Sequence, residues 1–497
     1  MSGGGGAGLR NTQGAEEDGP TPWGRLALLT ALAVLLRAPG LNDGLWWDEI
    51  FTLVDSVRLP LYRIVTVFPG DNQHTLYSVL AHVSIGVFGE HAWSLRFPAM
   101  LIGVATVPML YFFAREFVGR TEALLASLLL AVNYHHVWFS QNARGYSTLA
   151  FLTLLSSWLV LRCRRRGSAG DWVSYAVVVA LGVYTHLTMV FLVISHALLC
   201  AGQLGLPRDS ETLRRWRLPA VGFVLAGILS LLLYSPVLLE VRQAVVTEAS
   251  PMAGATPGWA VAELLRGLRI GLGSLLGVLV GMALFLFGLL SYFRQSKLVL
   301  GLFLLPGLMT AAAAVALHRP VRPRFFLFLA GFALLVVVRG ALEIGRTLSR
   351  QGVVRRFRTF PLGIALVAVL AVLSVSAIGI ESRYPKQDFE GAMRFVETNK
   401  AEDEPVVTAG GARYPYREYY QRNWEGVRSL EDLQAARSRG RPVWVLFTLK
   451  AYIASRSPDL MRVLDDECKV AKVFPGTLSD GEVTVCTIPP SSTPPVR

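Results

Sequence analysis

Long apolar runs recur along this chain from Trp23 to Ile380, and nothing else in it constrains the fold as strongly. Most are long enough for a bilayer, where a helix satisfies every backbone polar group within itself. The runs are Trp23–Pro39, His74–Phe88, Leu95–Phe117, Ala123–Phe139, Ser147–Leu161, Trp172–Thr185, Leu187–Leu204, Leu218–Leu239, Ile270–Phe293, Leu298–Leu317, Phe325–Val338 and Phe360–Ile380. Charged residues make up only 17% of the chain, against about 25% in ordinary soluble domains. Mean hydropathy is +0.45. The expected fold class is a polytopic α-helical membrane protein with one soluble piece.

Taking every run as a span strands basic residues on both sides. His74–Phe88 is the weak member: it is short, opens on a histidine and carries His82 inside. A segment of that kind reads as interfacial or re-entrant. With it demoted and the N-terminus inside, Arg115/Arg120, Arg162–Arg166, Arg208–Arg217, Arg294/Lys297 and Arg339–Arg358 all become cytoplasmic. That is the positive-inside pattern. About eleven spans are expected, and residues 40–94 form a first external loop with juxtamembrane helices.

The expected organisation is then a disordered, Gly-rich cytoplasmic tail at 1–22, a transmembrane domain at 23–380, an extracytoplasmic α/β domain at 381–489 and a disordered tail at 490–497. The first span lacks a small-residue cleavage site and reads as a retained anchor. PVVTAG, PVWVLFTL and EVTVCTI read as strands, and DFEGAMRFVETNK and SPDLMRVLDDE as helices. The net charge of +13 lies in the membrane part, where basic residues set topology, so nucleic acid is not an expected partner. Of the four cysteines, Cys468 and Cys486 flank short β-like segments and can pair in an oxidising space.

This topology gathers five clusters on the outer face: Asp48/Glu49; Asp71, Asn72 and His74; Ser140, Gln141 and Arg144; His186; and His318, Arg319, Arg322 and Arg324. External arginines run against the usual bias, and a lipid phosphate is their natural partner, because the guanidinium fork matches phosphate. Asp48 and Glu49 follow Trp46 and Trp47 directly. A carboxylate that indole rings strip of water takes up a proton more readily, the behaviour of a general base toward an attacking hydroxyl. A departing phosphate needs charge stabilisation rather than acid catalysis. Taken singly, each residue has a plainer reading: Asp48/Glu49 as a helix start, Trp46/Trp47 as an aromatic belt, Arg324 as a snorkelling cation.

The ordered series WWDE (Trp46–Glu49), DNQHTLYSVL (Asp71–Leu80), SLRFPAMLIGVATVPMLYFFAREFVGR (Ser94–Arg120), WFSQNARGY (Trp138–Tyr146), YTH (Tyr184–His186) and RPRF (Arg322–Phe325) resembles the GT-C superfamily of integral-membrane glycosyltransferases. The likeness is strongest to bacterial relatives of the dolichyl-phosphate-mannose–protein mannosyltransferases and of the lipid A aminoarabinose transferase. It implies a polyprenyl-phosphate-linked sugar as donor, an acceptor of unspecified class and inversion at the anomeric carbon. By that match Asp48 is the base with Glu49 beside it. Arg144, His186, Arg322 and Arg324 face the donor phosphate, and Asp71, Asn72, His74, Tyr77, Gln141 and Tyr146 border the substrate. The family often carries a Pro-Pro pair where this chain has His74–Thr75, and an acid where it has Asn142. Some relatives hold a divalent metal near the acids; for this chain no cofactor is assigned. A lipid flippase and a membrane-anchored scaffold are the competing classes, but the ionisable residues cluster at the boundary rather than at mid-membrane and no internal repeat is visible. The arginine-rich composition and the lack of an N-x-S/T acceptor point to a bacterial inner membrane.

Overall fold

The structure is a computed structural model that describes residues 20–70, 73–205, 209–246, 257–319, 321–350 and 362–490. The stretches 1–19 and 491–497 of the expected tails, as well as Asp71 and Asn72, lie outside the described residues.

The first half is helical: α1 (Trp23–Arg37), α2 (Trp47–Thr52), α3 (Leu61–Thr66), α4 (Thr75–Phe88), α5 (Ala92–Ala114), α6 (Arg120–Val132), α7 (Tyr134–Ser140), α8 (Tyr146–Arg166), α9 (Ala169–Thr185) and α10 (Met189–Leu204). It continues through α11 (Ser210–Tyr234), α12 (Leu238–Val246), α13 (Pro257–Leu272), α14 (Leu275–Gln295), α15 (Lys297–Ala316), α16 (Ala330–Arg350) and α17 (Leu362–Glu381). Among the described residues, seven helices are long and apolar enough to cross a membrane, and an eighth if α6 and α7, bent by 57°, form one span. The expected spans Trp23–Pro39, Trp172–Thr185 and Leu187–Leu204 fall short of that measure, with helices of 15, 17 and 16 residues.

Local chemistry sets where these helices stop and how close they pack. α8 ends at Gly167, whose φ of 61° is left-handed, just after Arg164, Arg165 and Arg166. Glycine adopts that conformation without strain, and cations suit a helix C-terminus. Around that end Arg165 pairs with Glu116 at 2.5 Å and Arg162 with Asp171 at 3.1 Å. α14 and α16 meet backbone to backbone. A Cβ at Gly288 would lie 1.9 Å from the Val336 carbonyl oxygen, and one at Gly340 would lie 1.8 Å from that of Leu284. Small residues serve this purpose in membranes, where helix association rests on close packing rather than on the hydrophobic effect. A buried polar knot sits one turn further along the same contact. Glu122 of α6 accepts from Tyr292 at 2.9 Å and from Arg339 at 3.0 Å.

Beyond α17 the chain forms a five-stranded mixed sheet of order β2-β1-β3-β5-β4: β1 (Val406–Gly410), β2 (Glu425–Val427), β3 (Val443–Thr448), β4 (Lys469–Phe474) and β5 (Val483–Ile488). β1 runs parallel to β2 and β3, while β5 is antiparallel to β3 and β4. The central strand β3 is buried at every position, as a strand covered on both faces must be. Val443, Val445 and Phe447 face a core formed with the helices Leu430–Arg437, Lys450–Arg456 and Pro458–Asp466. Trp444 and Leu446 join a second core with Phe389 and Phe474, and with Leu45, Ile50, Leu53 and Tyr77 of the first loop. One face of the sheet is therefore completed by residues far upstream in the chain. Cys468 and Cys486 form a disulfide, leaving Cys163 and Cys200 buried and free.

Two outcomes are expected. Gly288→Val or Gly340→Val forces two backbones apart, because a carbonyl cannot rotate away as a side chain can; each should lower stability by about 1–3 kcal/mol or more, read as a thermal shift in detergent. Thiol counting on unreduced, denatured protein should find two of the four cysteines reactive.

Candidate active site

Arg96 builds the floor of the site. It is the charged residue that interrupts the apolar run of α5, and it is 1% exposed. Its guanidinium donates to the carbonyls of Gly40, Leu41 and Asp43 at 3.2, 3.0 and 2.8 Å, and to that of Gly44 at 3.1 Å. The remaining donors grip the Glu49 carboxylate, Nε at 2.8 Å and Nη2 at 2.5 Å. Glu49 also accepts from the Ala143 amide at 2.7 Å and the Trp46 amide at 3.3 Å, and stands 3.7 Å from Lys386 Nζ. Burial alone would raise its pKa, but Arg96, Lys386 and the Ala143 amide outweigh burial and hold the carboxyl down at about 2. A fully buried carboxylate survives only with such partners.

Asp48, the next residue back along α2, points the other way, into a cavity of about 1440 Å³. Its Oδ2 lies 3.3 Å from Arg324 and 4.0 Å from Arg144. Arg144 is 1% exposed and also donates to Thr52 Oγ1 at 3.2 Å. Arg319, Arg322, His74, His186 and Tyr146 line the same stretch of wall. The His74 ring sits 5.0 Å from Tyr146 and 5.1 Å from His186. Burial first, then the nearby arginines Arg144 and Arg324, holds the His186 pKa down at about 3, so its ring is neutral. Its Nδ1 accepts from the Thr188 amide at 3.2 Å, which leaves the ring proton on Nε2, free to donate to an anion.

The cavity has two further regions. One is an apolar groove lined by side chains such as Leu268, Val278, Phe285, Leu334 and Leu370 from α13, α14, α16 and α17. The other is a roof from the sheet domain, with Arg413, Tyr414, Arg417, Arg428 and Tyr452. Its arginines outnumber its carboxylates: Arg144, Arg266, Arg319, Arg322, Arg324, Arg413, Arg417 and Arg428 stand against Asp48, Glu263 and Glu418. The arrangement presents one carboxylate to a basic chamber that opens onto an oily channel.

The structure brings together Asp48, His74, Arg144, Tyr146, His186, Arg322 and Arg324 on this one cavity. Three of the expected site residues do not reach it. Glu49 is fully buried and engaged by Arg96 and the loop amides, and it forms part of the floor. Tyr77 is 0% exposed and its hydroxyl donates to the Leu95 carbonyl at 2.6 Å. Gln141 donates to the carbonyls of Arg37 and Pro39, bracing the end of α1. Asn142 accepts from Trp46 Nε1 at 2.9 Å. Among the described residues no three His, Cys, Asp or Glu side chains are grouped to hold a metal ion. The neighbours of Asp48 are cations, a poor fit to a metal, and no step below passes through one.

Sequence reasoning missed Arg96, Lys386 and Gln387. Arg96 had a signal, a charge within an apolar run. Lys386 and Gln387 had none, since they act across hundreds of residues. Lys386 caps the Gln141 carbonyl and lies 5.1 Å over the Trp138 ring. Gln387 accepts from the Trp47 amide at 3.0 Å and donates to Thr448 at 3.2 Å. Together they fasten the sheet domain to the start of α2.

A basic chamber with one carboxylate at its edge, above an apolar groove and under a small α/β roof, is an arrangement that the GT-C fold would provide. The solved structures agree. ArnT from Cupriavidus metallidurans bound to undecaprenyl phosphate superposes with a TM-score of 0.51 at 14% identity, covering 94% of this chain and 98% of that one. The Archaeoglobus fulgidus oligosaccharyltransferase in its apo form gives 0.51 at 11% identity, over 96% of this chain and 75% of that one. At such identity the likeness is one of fold. In sequence, residues 75–239, about a third of the chain, match the model described as dolichyl-phosphate-mannose-protein mannosyltransferase. Two curated candidate mannosyltransferases of Bacillus subtilis also match, YkcB at 28% identity over 117 residues and YycA at 35% over 81. These matches span 24% and 16% of this chain, but only 16% and 12% of the relatives' own lengths. The resemblance to the GT-C superfamily thus holds in both sequence and fold.

Burial, partly offset by Glu49, draws the Lys386 pKa from 10.5 down to about 7. Between those values the unfolded chain binds a proton that the folded chain does not, so stability should rise as pH climbs through that window. Lys386→Met should flatten the rise, read as thermal midpoint against pH.

Proposed function

We propose that this protein is an inverting membrane glycosyltransferase that takes a sugar from a polyprenyl-phosphate carrier and transfers it to an acceptor on the extracytoplasmic face. The observation that carries the reading is the Asp48 carboxylate, held 3.3 Å from Arg324 and 4.0 Å from Arg144 where the basic chamber meets the apolar groove. The groove suits an isoprenoid chain. The undecaprenyl phosphate bound to ArnT supports a carrier of that chemistry.

The step balances as follows. The acceptor oxygen attacks the anomeric carbon on the face opposite the phosphate, and its proton passes to Asp48. The bond from the anomeric carbon to the phosphate oxygen breaks, and its electron pair leaves with the carrier phosphate. Arg144, Arg322, Arg324 and the Nε2 hydrogen of His186 receive the growing charge. Preorganised donors of this kind supply the largest single share of many rate enhancements. His74 and Tyr146 wall the chamber and border the sugar.

The eleven-span topology is part of this reading. α4 supports it: Tyr77 and Ser84, about 10 Å apart along the helix, reach the neighbouring carbonyls of Leu95 and Ser94 at 2.6 Å each. A helix making that pair of bonds lies across the start of α5 instead of running beside it, as a juxtamembrane helix does. The disulfide supports an extracytoplasmic sheet domain, and the basic groups at the end of α8 support a cytoplasmic opposite end. A bacterial inner membrane is the proposed location.

Asp48→Asn should keep undecaprenyl phosphate binding and lose transfer by about 10²- to 10⁴-fold. Purified protein with polyprenyl-phosphate sugars and a cell-envelope acceptor extract provides the assay. Full turnover by the variant would remove Asp48 from the chemistry.

A further inference from the structure

Four arginines at the waist of the cavity suffice for one carrier phosphate, and each already has a partner. Arg144 and Arg324 face Asp48, Arg319 donates to the Ala244 carbonyl, and Arg322 is engaged as well. The roof holds a second basic group that the transfer step does not use. Arg413 is partly buried, and among the described residues it makes no hydrogen bond or ion pair. Burial lowers its pKa first and the cations Arg428 and Arg417 add repulsion, against a weaker pull from Asp432 and Glu418. The carboxylates nearby are committed elsewhere. Glu418 pairs with Arg417 at 3.2 Å. Asp432 accepts from the amides of Arg428 and Ser429 at 2.8 and 3.2 Å. Arg428 is exposed and likewise has no ion pair among the described residues.

The backbone is shaped around Arg413. Its stem crosses Gly426 so closely that a Cβ there would lie 2.3 Å from Cδ and Nε. The next residue, Tyr414, is locked to the helix that carries Asp48: its hydroxyl donates to Asp55 at 2.7 Å, and its ring lies 5.9 Å from Trp47 and 5.8 Å from Phe51. The roof cations are thus held at a fixed offset from the carboxylate, in one continuous cavity. A half-exposed guanidinium with no hydrogen bond or ion pair among the described residues, close enough to Arg428 to feel its repulsion, offers an anion its whole fork, and phosphate matches that fork.

We infer that Arg413 and Arg428 form an acceptor subsite for a phosphate-bearing polyol, which binds by its phosphate at the roof while a hydroxyl reaches toward Asp48. This rests on the transferase reading and names the class of its acceptor. The same chemistry is offered by a free glycerol phosphate and by a phosphatidylglycerol headgroup.

The test uses the full chain in phosphatidylcholine nanodiscs saturated with undecaprenyl phosphate, titrated with sn-glycerol 1-phosphate by calorimetry. Glycerol phosphate should bind and glycerol should not. Arg413→Gln and Arg428→Gln should each weaken it about tenfold, the loss of one charge-assisted contact. Arg413→Lys should recover part of the loss, and thermal midpoints should be unchanged. Arg324→Gln should weaken the lipid and spare the probe. Adding phosphatidylglycerol to the discs separates the sources: competition assigns the subsite to a lipid headgroup, and its absence to a soluble phosphate. Equal probe affinity in wild type and in both roof variants would overturn the subsite, as would displacement of the probe by undecaprenyl phosphate. If undecaprenyl phosphate itself fails to bind, the donor reading fails, and the same titration on lipid-free protein still decides the roof.

Discussion

The Glu49–Arg96 ion pair is the interaction on which the rest of the structure depends. One carboxylate joins the first loop, helix α5, the turn at Ala143 and the linker at Lys386. One guanidinium gathers the carbonyls of residues 40–44 beneath it. Each charge is expensive to bury alone, and each is fully partnered here. Because Glu49 is fixed facing inward, its neighbour Asp48 is fixed facing the cavity. Two adjacent acids on one short helix therefore meet opposite surroundings, set entirely by which side of α2 each lies on.

The sheet domain is part of the same assembly, not an appendage. Ile50 and Leu53, on the helical stretch that carries Asp48, share a core with Trp444 and Leu446 of the central strand. Gln387 and Tyr414 add polar and aromatic fastenings to that helix. Movement of the sheet domain would carry α2 with it. A roof coupled in this way holds the Asp48 carboxylate steady through the same contacts that seat the sheet domain.

Three environments meet in the cavity: an oily groove, a basic waist and a basic, aromatic roof. No one helix or strand creates this series. α13, α14, α16 and α17 supply the groove, the loops after α7, α9 and α15 the waist, and the sheet domain the roof. Low dielectric walls strengthen the field of the arginines over that of the same residues in water, which suits the handling of a phosphate at a membrane boundary.

Much of this was legible in the residues. Apolar length marked the helices, because a bilayer leaves the backbone little choice. Misplaced arginines marked the waist, because charge at an outer boundary needs a reason. Alternation and β-branched runs marked β1, β3 and β5. What could not be read is what depends on orientation and on contacts across the chain. Asp48 and Glu49 are equivalent in sequence and differ only once α2 is docked. Tyr77 and Gln141 share a stretch with cavity residues yet turn to backbone carbonyls. Lys386, Gln387 and Arg413 lie more than 300 residues from Asp48 and acquire meaning only when the sheet is placed over the bundle. The sequence by itself determined which segments form apolar helices and where charges interrupt or flank them, since hydropathy and charge act locally. Only the tertiary structure decided which of those charges is spent on the fold and which is left facing the cavity, since that choice is made by partners distant in the chain.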